Sequence, residues 1–149
     1  MTNTYKQIQL TNTAIGDVAV NAYMPLGRVT RRINAPFNCC NTFTISSSTA
    51  DTVTLNDVGF YKITYSLTAS AAAEGEVTVG LVTNGTTVYS VSQNIADATT
   101  GSVNLTLPYT VRVVPNCSSA PDNVPVTIQL QNTGIALTGV SSNLIIEKL

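Results

Sequence analysis

Two glutamates one residue apart, Glu74 and Glu76 in the run "AAAEGEV", are the carboxylates best spaced for joint acid–base work. On a locally extended chain residues i and i+2 face the same side, so the pair has the order of separation that glycoside hydrolysis demands. The small residues around it read as a turn, however, and two acids at a loop tip are ordinarily solvated charges. Nucleophile–base pairs of the Ser–His or Cys–His kind are excluded, because the chain has no histidine. It also has no phosphate-cradling loop and no dinucleotide fingerprint. The expectation is a protein that is not an enzyme and carries no cofactor.

Metal chemistry is equally thin. Cys39, Cys40 and Cys117 make an odd count, so they cannot all pair within one chain, and without histidine a zinc site would need a carboxylate or water as fourth ligand. Free cysteine is among the most buried residue types, and reduced buried thiols are the simpler reading. Asn56 with Asp57, or Asp122 with Asn123, could offer oxygens to calcium. Neither pair has the ligand density of a dedicated loop, and Asx residues at turns explain both, so no metal is expected.

Binding residues stand out more clearly. "GRVTRR" holds Arg28, Arg31 and Arg32, able to pair with phosphate or with the carboxylates of a partner protein. Residues 1–34 carry a balance of +3 and residues 35–149 a balance of −4, for a net charge of −1. Nucleic-acid binding would need more bases with interleaved aromatics, so an acidic protein surface is the better match. A carbohydrate site usually offers an exposed aromatic, Trp above all, and the chain has no Trp. In "GFYKITYSL" the aromatics Phe60, Tyr61 and Tyr65 fall within six residues. Tyr61 and Tyr65 share one phase of the alternation and Phe60 the other, so whichever row packs inward, the opposite row offers a surface; all three are candidate subunit contacts.

The elements that position these residues are strands. The composition is 44% hydrophobic and only 10% charged, the rest dominated by Thr, Ser and Asn, as suits β-structure with hydroxyl-bearing outer faces. No window holds a 3.6-residue apolar period over a helical length, whereas strict alternation recurs, most clearly in "VNLTLPYTVRV". Pro108 in that run predicts an edge strand or a bulge, because a central ladder cannot absorb a missing donor. Asn84-Gly85 predicts a tight hairpin between "EVTVGLV" and "TTVYSVS". Eight or nine alternating runs between residues 43 and 149 predict a sandwich or barrel. The weaker pattern before residue 35 divides the chain into a basic N-terminal arm or anchoring segment, 1–34, and a β-domain, 35–149. At 149 residues the chain buries about 70% of its unfolded surface without help from disulfides or metals. Neither a signal peptide nor a stretch of ~18 apolar residues is present, so no membrane insertion is expected. Manufacture in a host cytoplasm and release within a particle by lysis suits that pattern.

The motif Gly59, Tyr61, Ile63, Tyr65 in "GFYKITY" resembles the signature strand of the tumour-necrosis-factor-like jelly roll, the superfamily of complement-type globular heads. Upstream, "FTISSSTADTVTLNDVGFY" is similar to the family's approach to that strand. "VTVGLVTNGTTV" is similar to its next hairpin, and "NLIIEKL" to its closing strand. Val53 where an aromatic is usual, and "VVPNCSSAPDNVPV" in place of a short turn, bring the chain nearer to bacterial collagen-like spore-surface and phage structural members. The resemblance implies an all-β, two-sheet antiparallel jelly roll of about 8–10 strands that assembles as a homotrimer, one sheet of each subunit facing the three-fold axis. The function expected from it is structural and non-enzymatic: a trimer displayed on a virion surface as a phage capsid decoration or head-fibre protein. Arg28, Arg31 and Arg32 would anchor it to a major capsid or other virion protein. The alternative is a receptor- or glycan-binding head with a host-surface glycan as partner.

Overall fold

The computed structural model describes residues 6–34, 42–46, 50–97, 101–115 and 123–149, the side chains of 14, 15 and 34 excepted. Ten strands follow one another: β1 (Lys6–Val18), β2 (Arg28–Asn34), β3 (Phe43–Ile45), β4 (Val53–Leu55), β5 (Gly59–Ala71), β6 (Gly75–Thr83), β7 (Thr86–Ile95), β8 (Ser102–Val113), β9 (Val126–Asn132) and β10 (Leu137–Lys148). They form two five-stranded sheets, β2-β1-β10-β5-β8 and β3-β4-β9-β6-β7. From β4 onward the chain crosses between the sheets repeatedly, the jelly-roll path, and the pairs within each sheet are antiparallel.

Alternation explains the core. In β5 the row Tyr61, Ile63, Tyr65 and Leu67 is buried, and in β8 so is the row Val103, Leu105, Leu107, Val111 and Val113. From the other sheet Val77, Val79, Leu81, Ile128 and Leu130 meet them. Phe43 lies edge-to-face on Tyr61, centroids 6.1 Å apart, and so links the short β3 to the opposite sheet. The Asn84-Gly85 hairpin forms as expected, with φ of 47° and 81°. The Asn84 side chain does more than turn the chain: its Oδ1 accepts from the Thr127 backbone N–H at 2.8 Å, holding the hairpin against β9. Pro108 lies in β8, which ends its sheet, so the missing N–H costs no ladder bond in the interior.

Two expectations are corrected. Residues 6–34 are not an arm separate from the β-domain. β1 runs between β10 and β2, and Ile8, Leu10, Met24 and Leu26 are fully buried in the common core. The alternation there was faint because β1 puts Lys6 and Asn12 into the buried row alongside Ile8 and Leu10. Second, two of the eight or nine alternating runs, "IALTGV" and "NLIIEKL", belong to one strand, β10; its pairing with β5 shifts register between Thr138 and Ser141 and then resumes. Gly139, with φ of 60°, falls at that irregularity and looks in the sequence like a turn.

Candidate interaction surface

The sheet β2-β1-β10-β5-β8 has one face in the core and one outward. Its strand registers set the outward side chains in rows across β1, β10, β5 and β8. One row is Gln7, Glu147, Lys62 and Thr110; the next is Gln9, Ile145, Thr64 and Pro108; a third is Thr11, Asn143, Ser66 and Thr106. In these three rows charge is confined to the first; apolar side chains stand in the second, as Ile145 and Pro108, and at the end beyond the first, where Phe60 pairs with Arg112. There Phe60 is 53% exposed, beside Val58 at 47% and Leu149 at 71%. The Leu149 backbone N–H donates to the Phe60 carbonyl at 2.8 Å, which fixes the last residue next to the aromatic.

This geometry sorts the three aromatics. Tyr61 and Tyr65 are 0% and 1% exposed under the chain's own strands, so they have no surface to give a partner subunit, and their place among the candidate contacts is withdrawn. Phe60 alone of the three remains available. The Tyr61 hydroxyl donates to the Asp57 carbonyl at 2.8 Å. Burial, then the nearby Asp57 charge, pushes its phenol well above the usual range. Burial likewise pushes the Tyr65 phenol up to about 12.

Asp57 occupies the corner between β4 and β5. Its Oδ2 accepts from the Thr42 hydroxyl at 2.6 Å and from Lys6 Nζ at 3.1 Å, with Lys148 Nζ at 4.0 Å. Cations of the chain itself therefore face the carboxylate, and Asn56 Nδ2 donates to Thr44 Oγ1 at 2.8 Å, so this pair serves structure rather than calcium. Burial works against the Asp57 charge, but the Thr42 hydrogen bond and the two lysines outweigh it and hold the carboxyl below the usual carboxylate range. A lowered folded value means that the unfolded chain binds the proton more readily. The stabilisation is thus complete above about pH 4 and is lost as pH falls through the folded value. Asp57→Asn is expected to lower stability at pH 7 by about 2 kcal/mol, and to flatten the acid limb of the stability–pH curve. Urea titrations of both proteins from pH 7 to pH 2 check this; parallel curves would refute the role of the charge.

The remaining candidates are at the surface. Arg28, Arg31 and Arg32 are exposed on β2, an edge strand, where charge also guards against strand addition by another chain. Glu74 is exposed between β5 and β6 and Glu76 at the start of β6, where its Oε1 accepts from the Thr78 hydroxyl at 3.2 Å. Cys39, Cys40, Cys117 and Asp122 lie outside the described residues. Among the described residues no cluster of three or more Cys, Asp or Glu side chains could hold a metal.

Sequence reasoning missed one residue altogether. Asn132, which in "NTG" has the look of a turn residue, is fully buried. Its Nδ2 donates to the Ile135 carbonyl at 2.9 Å and more loosely to Ala19 and Val18, at 3.3 and 3.4 Å, and its Oδ1 accepts from the Gly134 N–H at 3.1 Å. It joins the β1–β2 connection to the β9–β10 turn. An Asn before Thr-Gly carries no sign in the sequence that it points inward.

No protein-family model and no curated protein sequence matches the chain. Solved structures do, through the fold. The Eiger tumour necrosis factor of S. frugiperda superposes with a TM-score of 0.67 at 12% identity, covering 99% of this chain and 94% of that one. Murine APRIL gives 0.64 at 11% identity, with 97% and 99% covered. The vertex protein P5 of PRD1 gives 0.60 at 16% identity, with 97% and 96% covered. A likeness that spans nearly the whole of each chain, at identities this low, is one of architecture, and the architecture of this chain is the tumour-necrosis-factor-like jelly roll.

Proposed function

We propose that the chain is the subunit of a homotrimeric, non-enzymatic surface protein of a virus particle, a capsid decoration or head-fibre protein. The observation that carries the trimer is the apolar group at the end of the outward face, where Phe60, Val58 and Leu149 are exposed with the charged Arg112 paired to Phe60 at its rim. An exposed apolar group rimmed by polar side chains is the composition of a subunit contact. The likeness to P5, a vertex protein, supports the virion setting. A receptor- or glycan-binding head, the second reading, draws on the likeness to the Eiger tumour necrosis factor and to murine APRIL.

In light scattering the purified chain is expected to have the mass of a trimer. Phe60→Asp, at a position half-exposed in the single chain, should leave the fold intact and raise the dissociation constant of the trimer at least about thirty-fold. A monomeric wild type at micromolar concentration, or a variant that associates as well as the wild type, would refute the contact.

Docking to the particle is assigned to the basic edge strand, Arg31 and Arg32 with Arg28 at its start. Deleting residues 1–34 cannot test this, since it removes two strands and Ile8, Leu10, Met24 and Leu26 from the core. The double variant Arg31→Glu, Arg32→Glu keeps those strands. It should remain trimeric and stop co-sedimenting with particles, and undiminished co-sedimentation counts against the role.

A further inference from the structure

β2 ends its sheet. β1 pairs with one side of it and, among the described residues, nothing pairs with the other. Over the seven residues Arg28–Asn34 it therefore turns a row of backbone N–H and C=O groups outward, ready for one more strand. Residues 28–32 are all exposed.

The side chains select what can take that place. Arg31 stands across from Gln9 and so on the outward face of the sheet; Arg32 stands across from Ile8, a core residue, and so on the opposite side. The register shift beside Arg31 leaves Thr30 as an extra residue in β2, and its hydroxyl lies 3.2 Å from that of Thr11 on β1. Two successive guanidinium groups thus flank the open edge, one on each side, and Arg28 adds a third across from Thr11. None of the three forms an ion pair among the described residues. A second copy of β2 laid along this edge would bring arginine near arginine, and like charges opposite one another on paired strands repel. A neutral strand would leave the guanidinium groups unanswered. Successive side chains of a strand alternate, so one with two adjacent acidic residues presents a carboxylate on each side, and Arg can hold a carboxylate through two parallel hydrogen bonds. The charge that guards the edge against a copy of itself selects an acidic strand.

We propose that β2 accepts an extended acidic segment of the virion partner as a sixth strand of its sheet, main chain to main chain, with adjacent acidic residues on Arg31 and Arg32. The inference rests on the docking reading above and adds the form of the partner, a strand rather than an acidic face. An added strand lies beside β2, in the plane of the sheet. Phe60, on β5, is three strands away, about 15 Å at ~4.8 Å each, so the trimer contact stays free.

The capped peptide Thr-Val-Thr-Glu-Glu-Thr-Val-Thr, titrated into the full chain, is expected to bind saturably and to slow amide hydrogen exchange along β2, read by NMR. Its Gln-Gln counterpart should bind at least about ten-fold more weakly. The Glu-Glu peptide N-methylated throughout keeps its charges but cannot donate to the edge, and should not bind. The double variant Arg31→Glu, Arg32→Glu should lose the Glu-Glu peptide and take up a Lys-Lys one in its place. No saturable binding at millimolar peptide, unchanged exchange along β2, or an N-methylated or Gln-Gln peptide that binds as well as the Glu-Glu one would overturn the added strand. If the double variant nevertheless stops co-sedimenting with particles, the docking reading survives that failure. Undiminished co-sedimentation overturns the docking reading and the virion partner with it.

Discussion

Asn132→Ala is expected to destabilise the chain by about 3–4 kcal/mol and lower its melting temperature by roughly 10 °C. The reason is the number of groups a single amide satisfies. The Ile135 carbonyl at 2.9 Å and the Gly134 N–H at 3.1 Å both lose their partner, and the looser contacts to Ala19 and Val18 go with them. All of this happens at a position with no solvent to compensate, since the residue is 0% exposed. Each stranded buried group costs about 1–3 kcal/mol, so the effect exceeds that of an ordinary side-chain truncation. Asn132→Asp keeps the acceptor for Gly134 but offers a carboxylate to three carbonyls, and is expected to be at least as damaging. Urea unfolding of both variants checks the argument. A loss under about 1 kcal/mol for Asn132→Ala would mean that water or a local shift replaces the amide.

Gly27→Ala is expected to cost about 3–5 kcal/mol, from two sources that a second glycine separates. Gly27 has φ of +81°, a conformation that L side chains rarely adopt, at a cost of about 1–3 kcal/mol. It is also pressed onto β1, so that a methyl group there would collide with the Thr11 carbonyl and the Asn12 backbone. Neither can retreat, because Thr11 is paired with both β2 and β10. Gly85 has the same φ of +81°, yet nothing lies within 4 Å of the position a Cβ would take. Gly85→Ala therefore reports the backbone conformation alone and should cost about 1 kcal/mol. The difference between the two variants measures the crowding; equal losses in thermal unfolding would show that close approach to β1 contributes nothing.

Legibility followed the physics of each residue. The row Tyr61, Ile63, Tyr65 and Leu67 could be read directly, since a period of two leaves only one question, namely which row faces inward. Pro108 and Asn84-Gly85 could be read because each has a backbone property that survives any tertiary context. The N-terminal strands were obscured by the opposite circumstance. Lys6, Gln7 and Asn12 are polar and buried, and what makes that tolerable, such as Asp57 for Lys6, lies 51 residues away in the chain. Hydropathy patterning scores the residue and not its partner, so a strand inside the sheet took on the look of an arm.

What the sequence determined by itself was the local period, the turns and the shortage of catalytic side chains, all of which follow from residue types and short spacings. From these came the β-sandwich, and from the Gly59–Tyr65 motif the jelly-roll resemblance. Only the tertiary structure decided which side of β5 meets the core, that residues 6–34 are part of the sandwich, and that Asn132 and Asp57 hold distant segments together. Those are outcomes of pairing between strands far apart in the chain, such as Ile8 with Ile146 and Leu144 with Tyr65. Long-range register depends on the whole set of buried rows fitting at once, which no window along the chain contains.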